Sequence, residues 1–529
     1  MNGRGSAVRA TSKVKGRSGR FVAATAMVGA LTVLAACTDE GEVTSAEGTS
    51  ESSSQSTAPT ELTSAVPEGL ETFYEQSLAW DECDGGECAT LEVPIDYQAP
   101  DDGSIELALL RVAAGGDKQG SLVVNPGGPG GSGVDYAQAA ALAFSADVRE
   151  VYDVVGFDPR GVARSAPIMC FDDAQMDDFY GSDPSPDDAA EEAEADALNE
   201  EFVAACEAAA PELLGHVSTI EAARDMDVLR AALGENKLDY LGASYGTYLG
   251  ATYASLFPEN VGQFVLDGAL DPTLSDQEVS LGQAGGFEES TRAYVQDCID
   301  SGDCPLGDDV DAGMQNLVDF LAEVDENPLP VSGDTVTELT EGWALLGIIV
   351  AMYDEGAWPL LTQALQSAQD GDGSSLMYLA NFYADRNAEG VYSGNSGQAI
   401  YAVNCLDRPS PEGAPTAEEM QPQFDEVAPV FGKYLNGEGA CAIWPETAVE
   451  TIDDYSAAGA PPILVVGTTG DPATPYDWAV KLADTLDSGV LLTYEGEGHT
   501  AYGRSNSCID DAIDGFLIDD VVPEDGLTC

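Results

Sequence analysis

The sequence predicts an α/β fold: a mostly parallel, doubly wound sheet interrupted by an inserted, mainly helical cap. Three observations carry that expectation. Short apolar runs recur along the chain with helical segments between them, the pattern of strands buried on both faces. One of these runs, Leu238 to Leu241, leads straight into Gly242-Ala243-Ser244-Tyr245-Gly246. The third is a gap of about 195 residues between the runs ending at Asp267 and starting at Ile463, too long for a loop without structure of its own.

Read in order, the strand candidates are Ile105 to Val112, Leu122 to Asn125, Tyr152 to Phe157, Leu238 to Leu241, Gln263 to Asp267, Ile463 to Gly467 and Val490 to Tyr494. Helices are expected over Ala222 to Leu233 and Tyr245 to Phe257, and in the gap over Ala312 to Val324 and Trp343 to Tyr353. The gap, Pro272 to about Asp454, reads as the cap. The folded chain is then a first core segment over 68–271, a cap over 272–454 and a second core segment over 455–529.

Gly-x-Ser-x-Gly between a strand and a helix is the pattern of a nucleophile elbow. Glycines lacking Cβ let the strand turn sharply into the helix, with the Ser244 hydroxyl at the tip. A serine nucleophile needs a base, and the chain has two histidines. His216 precedes the serine and reads as a surface or helix-entry residue. His499 follows the last long strand, in Glu497-Gly498-His499-Thr500, and Asp471 follows the strand before it, in Gly470-Asp471-Pro472. Serine, acid, histidine is the chain order of an α/β-hydrolase triad. His499 would take the Ser244 proton and Asp471 would fix the imidazole tautomer. Two N–H donors must meet the oxyanion. Tyr245 would supply one. The other falls to the loop Pro126-Gly127-Gly128-Pro129-Gly130-Gly131, with Gly128 favoured and Gly127 next; the loop lacks the Lys-Ser/Thr of a P-loop.

Asn125-Pro126-Gly127-Gly128-Pro129-Gly130, Asp158-Pro159-Arg160-Gly161, Gly242-Ala243-Ser244-Tyr245-Gly246-Thr247, Leu266-Asp267-Gly268 and Gly470-Asp471-Pro472-Ala473-Thr474-Pro475 together resemble the secreted actinobacterial α/β-hydrolase peptidases. These are the tripeptidyl aminopeptidase group with its TAP-like C-terminal region, related to prolyl iminopeptidases, together with the carboxylesterase A-type envelope lipoproteins. The resemblance runs from about Trp80 to the C-terminus. It implies peptide-bond hydrolysis from a free N-terminus, with carboxylesterase or endopeptidase action by the same triad as alternatives. Ala163 departs from the Gly usual in prolyl iminopeptidases, which implies a local backbone effect. A more remote alternative is a non-catalytic binding lipoprotein, which would have no need of the full triad and oxyanion loop. No metal or organic cofactor is expected. An N-terminal ammonium calls for carboxylates near the site, for which Glu288, Glu289 and Asp407 are candidates. Thr474, three residues after Asp471, is a candidate for supporting it by a hydrogen bond.

Arg4, Arg9, Lys13, Lys15, Arg17 and Arg20 precede an apolar run, Phe21 to Leu34, too short to span a membrane and suited to an export signal. Leu34-Ala35-Ala36-Cys37 resembles a lipoprotein box, so residues 1–36 would be removed and Cys37 lipidated. The Ser/Thr/Glu/Gly-rich stretch to Pro67 would be a flexible tether. Such a protein would sit on the outer face of the cytoplasmic membrane or in the envelope, touching the membrane only through its lipid. Of 11 cysteines, ten remain beyond Cys37. In an exported chain they suggest five disulfides, between sequence neighbours: Cys83–Cys88, Cys170–Cys206, Cys298–Cys304, Cys405–Cys441 and Cys508–Cys529. The spacings and two histidines do not suit a metal site.

The net charge is −74, from 20 basic and 94 acidic residues. Six of the basic residues lie in the leader, leaving 14 against 94 beyond it. Such a surface repels nucleic acid and anionic membranes. It suits salty surroundings and cationic substrates. The run Asp183 to Glu201 reads as a solvated surface excursion. Peptides and small esters are the partners that the resemblance implies; the sequence sets no oligomeric state.

Overall fold

Ten strands form the main sheet of the computed structural model, which describes residues 66–409, 413–437 and 439–529. We label them β1 (Asp81–Cys83), β2 (Gly86–Pro94), β3 (Ser104–Val112), β4 (Gly120–Asn125), β5 (Tyr152–Phe157), β6 (Leu238–Ala243), β7 (Val261–Asp267), β8 (Ile463–Gly470), β9 (Gly489–Glu497) and β10 (Leu527–Thr528). Their spatial order is β1-β2-β3-β5-β4-β6-β7-β8-β9-β10. From β5 to β10 all neighbours pair in parallel. The β1–β2, β2–β3 and β3–β5 pairs are antiparallel. This corrects the expectation for residues 105–112, whose apolar run suggested a parallel strand. The β2 strand alternates buried and exposed residues, so it offered no continuous apolar run to read.

Alternation along the central strands feeds two cores. Val123, Val155 and Tyr240 point into one layer, while Leu122, Val124, Val154 and Leu241 point into the other. The first layer holds the helices Thr219–Ala232 and Tyr245–Leu256, and the second holds Ser507–Asp519. The order of β4, β5 and β6 reverses around β4, and such a switch point opens a crevice at the carboxyl ends of the strands.

Asp158-Pro159-Arg160-Gly161 follows β5. Arg160 is wholly buried, and its Nε and Nη2 donate to the two oxygens of Asp225 at 2.8 and 2.6 Å. Its remaining donors reach the carbonyls of Pro94, Ile95 and His216. This planar fork matches the carboxylate and is always charged. It locks the antiparallel edge, β2, to the helix Thr219–Ala232.

Between β7 and β8 the chain forms the helices Asp276–Ser301, Val310–Glu326, Glu341–Met352, Trp358–Gln369, Ser374–Tyr383, Ser396–Asp407 and Ala417–Val427. Phe287, Leu317, Trp343, Ile348, Leu361 and Leu376 gather into a core separate from the two sheet layers. Ser396–Asp407 differs from its neighbours, because its Ala402, Val403 and Leu406 join the first sheet layer. The insertion thus has its own interior and a foot on the sheet. The acidic segment before it contains the helix Ala189–Ala209, which buries only Phe202, Val203 and Cys206.

Disulfides join Cys83–Cys88, Cys170–Cys206, Cys298–Cys304, Cys405–Cys441 and Cys508–Cys529. The last ties the end of the chain to the helix that follows the His499 loop. Cys37, the expected leader and most of the expected tether lie outside the described residues. Among the described residues, no helix is long and apolar enough to cross a membrane.

Candidate active site

Ser244 stands between β6 and the helix Tyr245–Leu256 with φ 59° and ψ −126°. A side chain in this region is strained by roughly 1–3 kcal/mol, and the surroundings must hold it there. Two glycines make the turn possible. A Cβ on Gly242 would lie 2.3 Å from the Gly246 carbonyl oxygen, and one on Gly246 would lie 2.9 Å from that of Asn125. The backbone N–H of Ser244 donates to the Asp267 carbonyl at 2.8 Å, and Thr247 N–H donates back to the Ser244 carbonyl.

The Gly-rich loop after β4 lies against this turn. A Cβ on Gly127 would sit 2.7 Å from the Ser244 Cβ and 3.1 Å from the Tyr245 nitrogen, so only glycine permits the approach. The Gly127 N–H is itself taken, donating to Asn125 Oδ1 at 2.9 Å. That leaves the next N–H, of Gly128, as the candidate donor. Asp158 fixes the far end of the loop: its oxygens accept from Ser132 Oγ (2.5 Å), Val134 N–H and the backbone and side chain of Arg164.

Asp471 and His499 are paired. Imidazole Nδ1 is 2.8 Å and 2.9 Å from the two Asp471 oxygens. The carboxylate also accepts the N–H groups of Ala473, Thr474 and Thr500. These bonds use its acceptor capacity and leave the imidazole one orientation. Thr474 Oγ1 is 3.3 Å from the same Nδ1, so the threonine flanks the pair. Asp471 is fully buried, His499 nearly so, and His499 Nε2 is buried without a partner.

Asp267 links the serine and histidine sides. Its carbonyl holds Ser244 N–H, and its carboxylate accepts Ala501 and Tyr502 N–H at 2.9–3.0 Å. A Cβ on the adjoining Gly268 would fall 3.2 Å from His499 Cε1. From the insertion, the Tyr353 carbonyl accepts the His499 N–H at 2.9 Å, and its ring stands edge-to-face with the imidazole at 5.3 Å. Arg504 braces the loop by donating to the carbonyls of Thr500 and Glu497. Sequence reasoning assigned no role to Asp158, Asp267 or Tyr353. The first two lie in Asp158-Pro159-Arg160-Gly161 and Leu266-Asp267-Gly268, segments that carry the family resemblance, and that was their only signal.

His216 is placed elsewhere, with Nδ1 2.9 Å from Glu221 Oε1, whose hydrogen bond holds its pKa above the ordinary value. Glu288 is buried and its carboxylate accepts Val430 N–H at 2.9 Å, inside the insertion. Glu289 is exposed on the same helix. Asp407 accepts Thr219 N–H at 2.8 Å and Thr219 Oγ1 at 2.6 Å, and that hydroxyl meets Tyr245 Oη. The carboxylates of Glu288 and Asp407 are thus committed to the protein's own donors.

Burial pushes the Asp407 carboxyl up to about 6, against its hydrogen bonds to Thr219. A folded-state pKa above the unfolded 3.8 means that stability present below pH ~4 is lost as pH rises through ~6. The loss amounts to at most about 3 kcal/mol at ~1.4 kcal/mol per unit. Asp407→Asn is therefore expected to lose less stability than the wild type between pH 4 and 7 in urea unfolding. Parallel curves for the two proteins would refute the assignment.

The family model for TAP-like protein matches residues 428–529. Serine protease Hip1 of Mycobacterium tuberculosis is 40% identical over 457 residues, covering 84% of this chain and 87% of that protein. Carboxylesterase B of the same organism is 36% identical over 454 residues, with 84% and 86% covered. Tripeptidyl aminopeptidase of Streptomyces coelicolor is 32% identical over 475 residues, with 85% and 86% covered. The likeness runs through the sheet, the insertion and the segments around Ser244, Asp471 and His499, and on it the chain belongs to the TAP-like family of α/β-hydrolase serine hydrolases.

Proposed function

We propose that this protein is a peptidase that releases short peptides from a free N-terminus, with Ser244 as nucleophile, His499 as base and Asp471 as the acid that orients it. The observation that carries these catalytic roles is the His499 pair. Its Nδ1 is held by both Asp471 oxygens, while the buried Nε2 is left without a hydrogen-bond partner. Nε2 takes the hydroxyl proton as Ser244 attacks a carbonyl. The leaving amine departs with that proton, and water activated by His499 then hydrolyses the acyl-enzyme. The N–H groups of Tyr245 and Gly128 stabilise the oxyanion, Tyr245 at the positive end of its helix. Thr474 supports the acid and base from their flank.

The helices over 272–454 act as a cap. A cap that reaches the base through Tyr353 limits access to chain ends and small substrates. Five disulfides fit an oxidising compartment. With the leader sequence they support export, and the Leu34-Ala35-Ala36-Cys37 pattern supports lipidation at Cys37. The three relatives are named for a protease, an esterase and an aminopeptidase, so bond type and end-specificity require separate tests.

The purified protein is expected to cleave chromogenic tripeptidyl amides with a free N-terminus at least ~10-fold faster in kcat/KM than their acetylated counterparts, an effect the size of one charge-assisted hydrogen bond. Equal rates would instead indicate an endopeptidase, and turnover of a short-chain acyl ester alone would indicate a carboxylesterase.

A further inference from the structure

A substrate ammonium needs a carboxylate that is reachable, without a cation of its own, and close to the bond that breaks. Of the many acidic residues, Asp385 has these properties together. It follows the helix Ser374–Tyr383, in a left-handed turn at φ 53°. The turn is braced, because the Asp385 carbonyl accepts both the N–H and the hydroxyl of Ser393, at 2.8 and 3.0 Å. The residue as a whole is exposed. Its hydrogen bond is a long one, 3.4 Å from Ser396 Oγ.

The neighbouring cations are engaged elsewhere. Arg386, next in sequence, turns its fully buried side chain to Asp177 and Asp334. Arg164 pairs with Asp135 and Asp158. Among the described residues, no Lys, Arg or His forms a salt bridge with Asp385. Although it is exposed, burial raises its carboxyl above the ordinary value and the charge of Asp135 adds to the shift, as in a recess. A carboxylate so placed gains from a cation that enters.

Two contact chains place Asp385 between the halves of the candidate site. On one side its partner Ser396 packs on the Gly-rich loop: a Cβ on Gly130 would lie 2.8 Å from the Ser396 carbonyl oxygen. On the other, the Tyr383 ring stands edge-to-face with that of Tyr353, whose own ring and carbonyl hold His499. Three extended residues span about 10 Å. The ammonium of a bound tripeptidyl group would therefore lie at the rim of the site, between the oxyanion loop and the base, and not beside the serine.

We propose that Asp385 is the carboxylate that receives the free α-ammonium of the peptide substrate and so sets the enzyme's preference for chain ends. This rests on the aminopeptidase reading above.

The test is the ratio of kcat/KM for a free tripeptidyl amide to that for its acetylated form, in the wild type and in Asp385→Asn. Asn keeps the shape and tolerates the left-handed turn. The ratio is expected to fall about 10- to 100-fold, the scale of one charge-assisted hydrogen bond, with the change in KM for the free substrate. An unchanged ratio in the variant overturns the role of Asp385 and leaves the aminopeptidase reading intact. A wild type that does not distinguish the two substrates overturns both. Independently of any variant, a crystal structure of the wild type carrying a tripeptidyl phosphonate on Ser244 should place the ammonium about 3 Å from Asp385. An ammonium bound to another carboxylate refutes the proposal.

Discussion

Ser244→Ala is expected to lower amide and ester hydrolysis together by at least ~10⁴-fold while the protein stays folded. The substitution removes the proposed nucleophilic oxygen and nothing that holds the turn. Ser244 N–H bonds the Asp267 carbonyl and its own carbonyl accepts Thr247 N–H, both through the backbone. Alanine has the same Cβ at φ 59°, so the strain of the elbow is neither relieved nor increased. The variant should match the wild type in circular dichroism and lose covalent labelling by a fluorophosphonate. Activity above about 1% in protein free of wild-type enzyme would place the chemistry elsewhere, since removing a triad serine costs far more than that.

Local spacing made the central part of this site legible. Gly242 and Gly246 flank Ser244 within five residues, Asp471 follows an apolar run, and so does His499. The strands on either side came from the same signal, which is why β4 to β9 were readable. What was not readable depends on partners far apart in sequence. Asp267 reaches Ala501 and Tyr502, Tyr353 reaches His499, and Asp158 closes back on Ser132. The acidic composition adds a second obstacle. With 94 carboxylates, sequence cannot separate Glu288, committed to Val430 N–H, from Asp385, which pairs with no cation among the described residues. Only the fold distinguishes a carboxylate that closes a turn from one that faces a ligand. Ala163 illustrates the same dependence: it adopts φ 46°, held by its N–H bond to Asn395 Oδ1, over two hundred residues away.

Asp471→Asn is the other large effect, expected at about 10⁴-fold in kcat. The carboxylate accepts Ala473 and Thr474 N–H on Oδ1, Thr500 N–H on Oδ2, and His499 Nδ1 on both. An asparagine must turn its NH₂ toward one of these donors. If it faces Thr500, two N–H groups oppose each other in a buried site, at a cost of about 1–3 kcal/mol. If it faces His499, Nδ1 becomes the acceptor and the proton moves to Nε2, which can no longer take one from Ser244. The first arrangement is disfavoured by that opposition, and the second removes the base while leaving the serine in place, so slow fluorophosphonate labelling should remain where Ser244→Ala has none. Asp267 is a rival acid among the described residues, because its carboxylate is buried and feels the His499 charge. Its oxygens, however, accept Ala501 and Tyr502 N–H and make no hydrogen bond to the imidazole. Asp267→Asn should therefore cost less in kcat than Asp471→Asn, through a displaced loop and not a wrong tautomer. The reverse order, measured under identical conditions, would transfer the acid's role to Asp267.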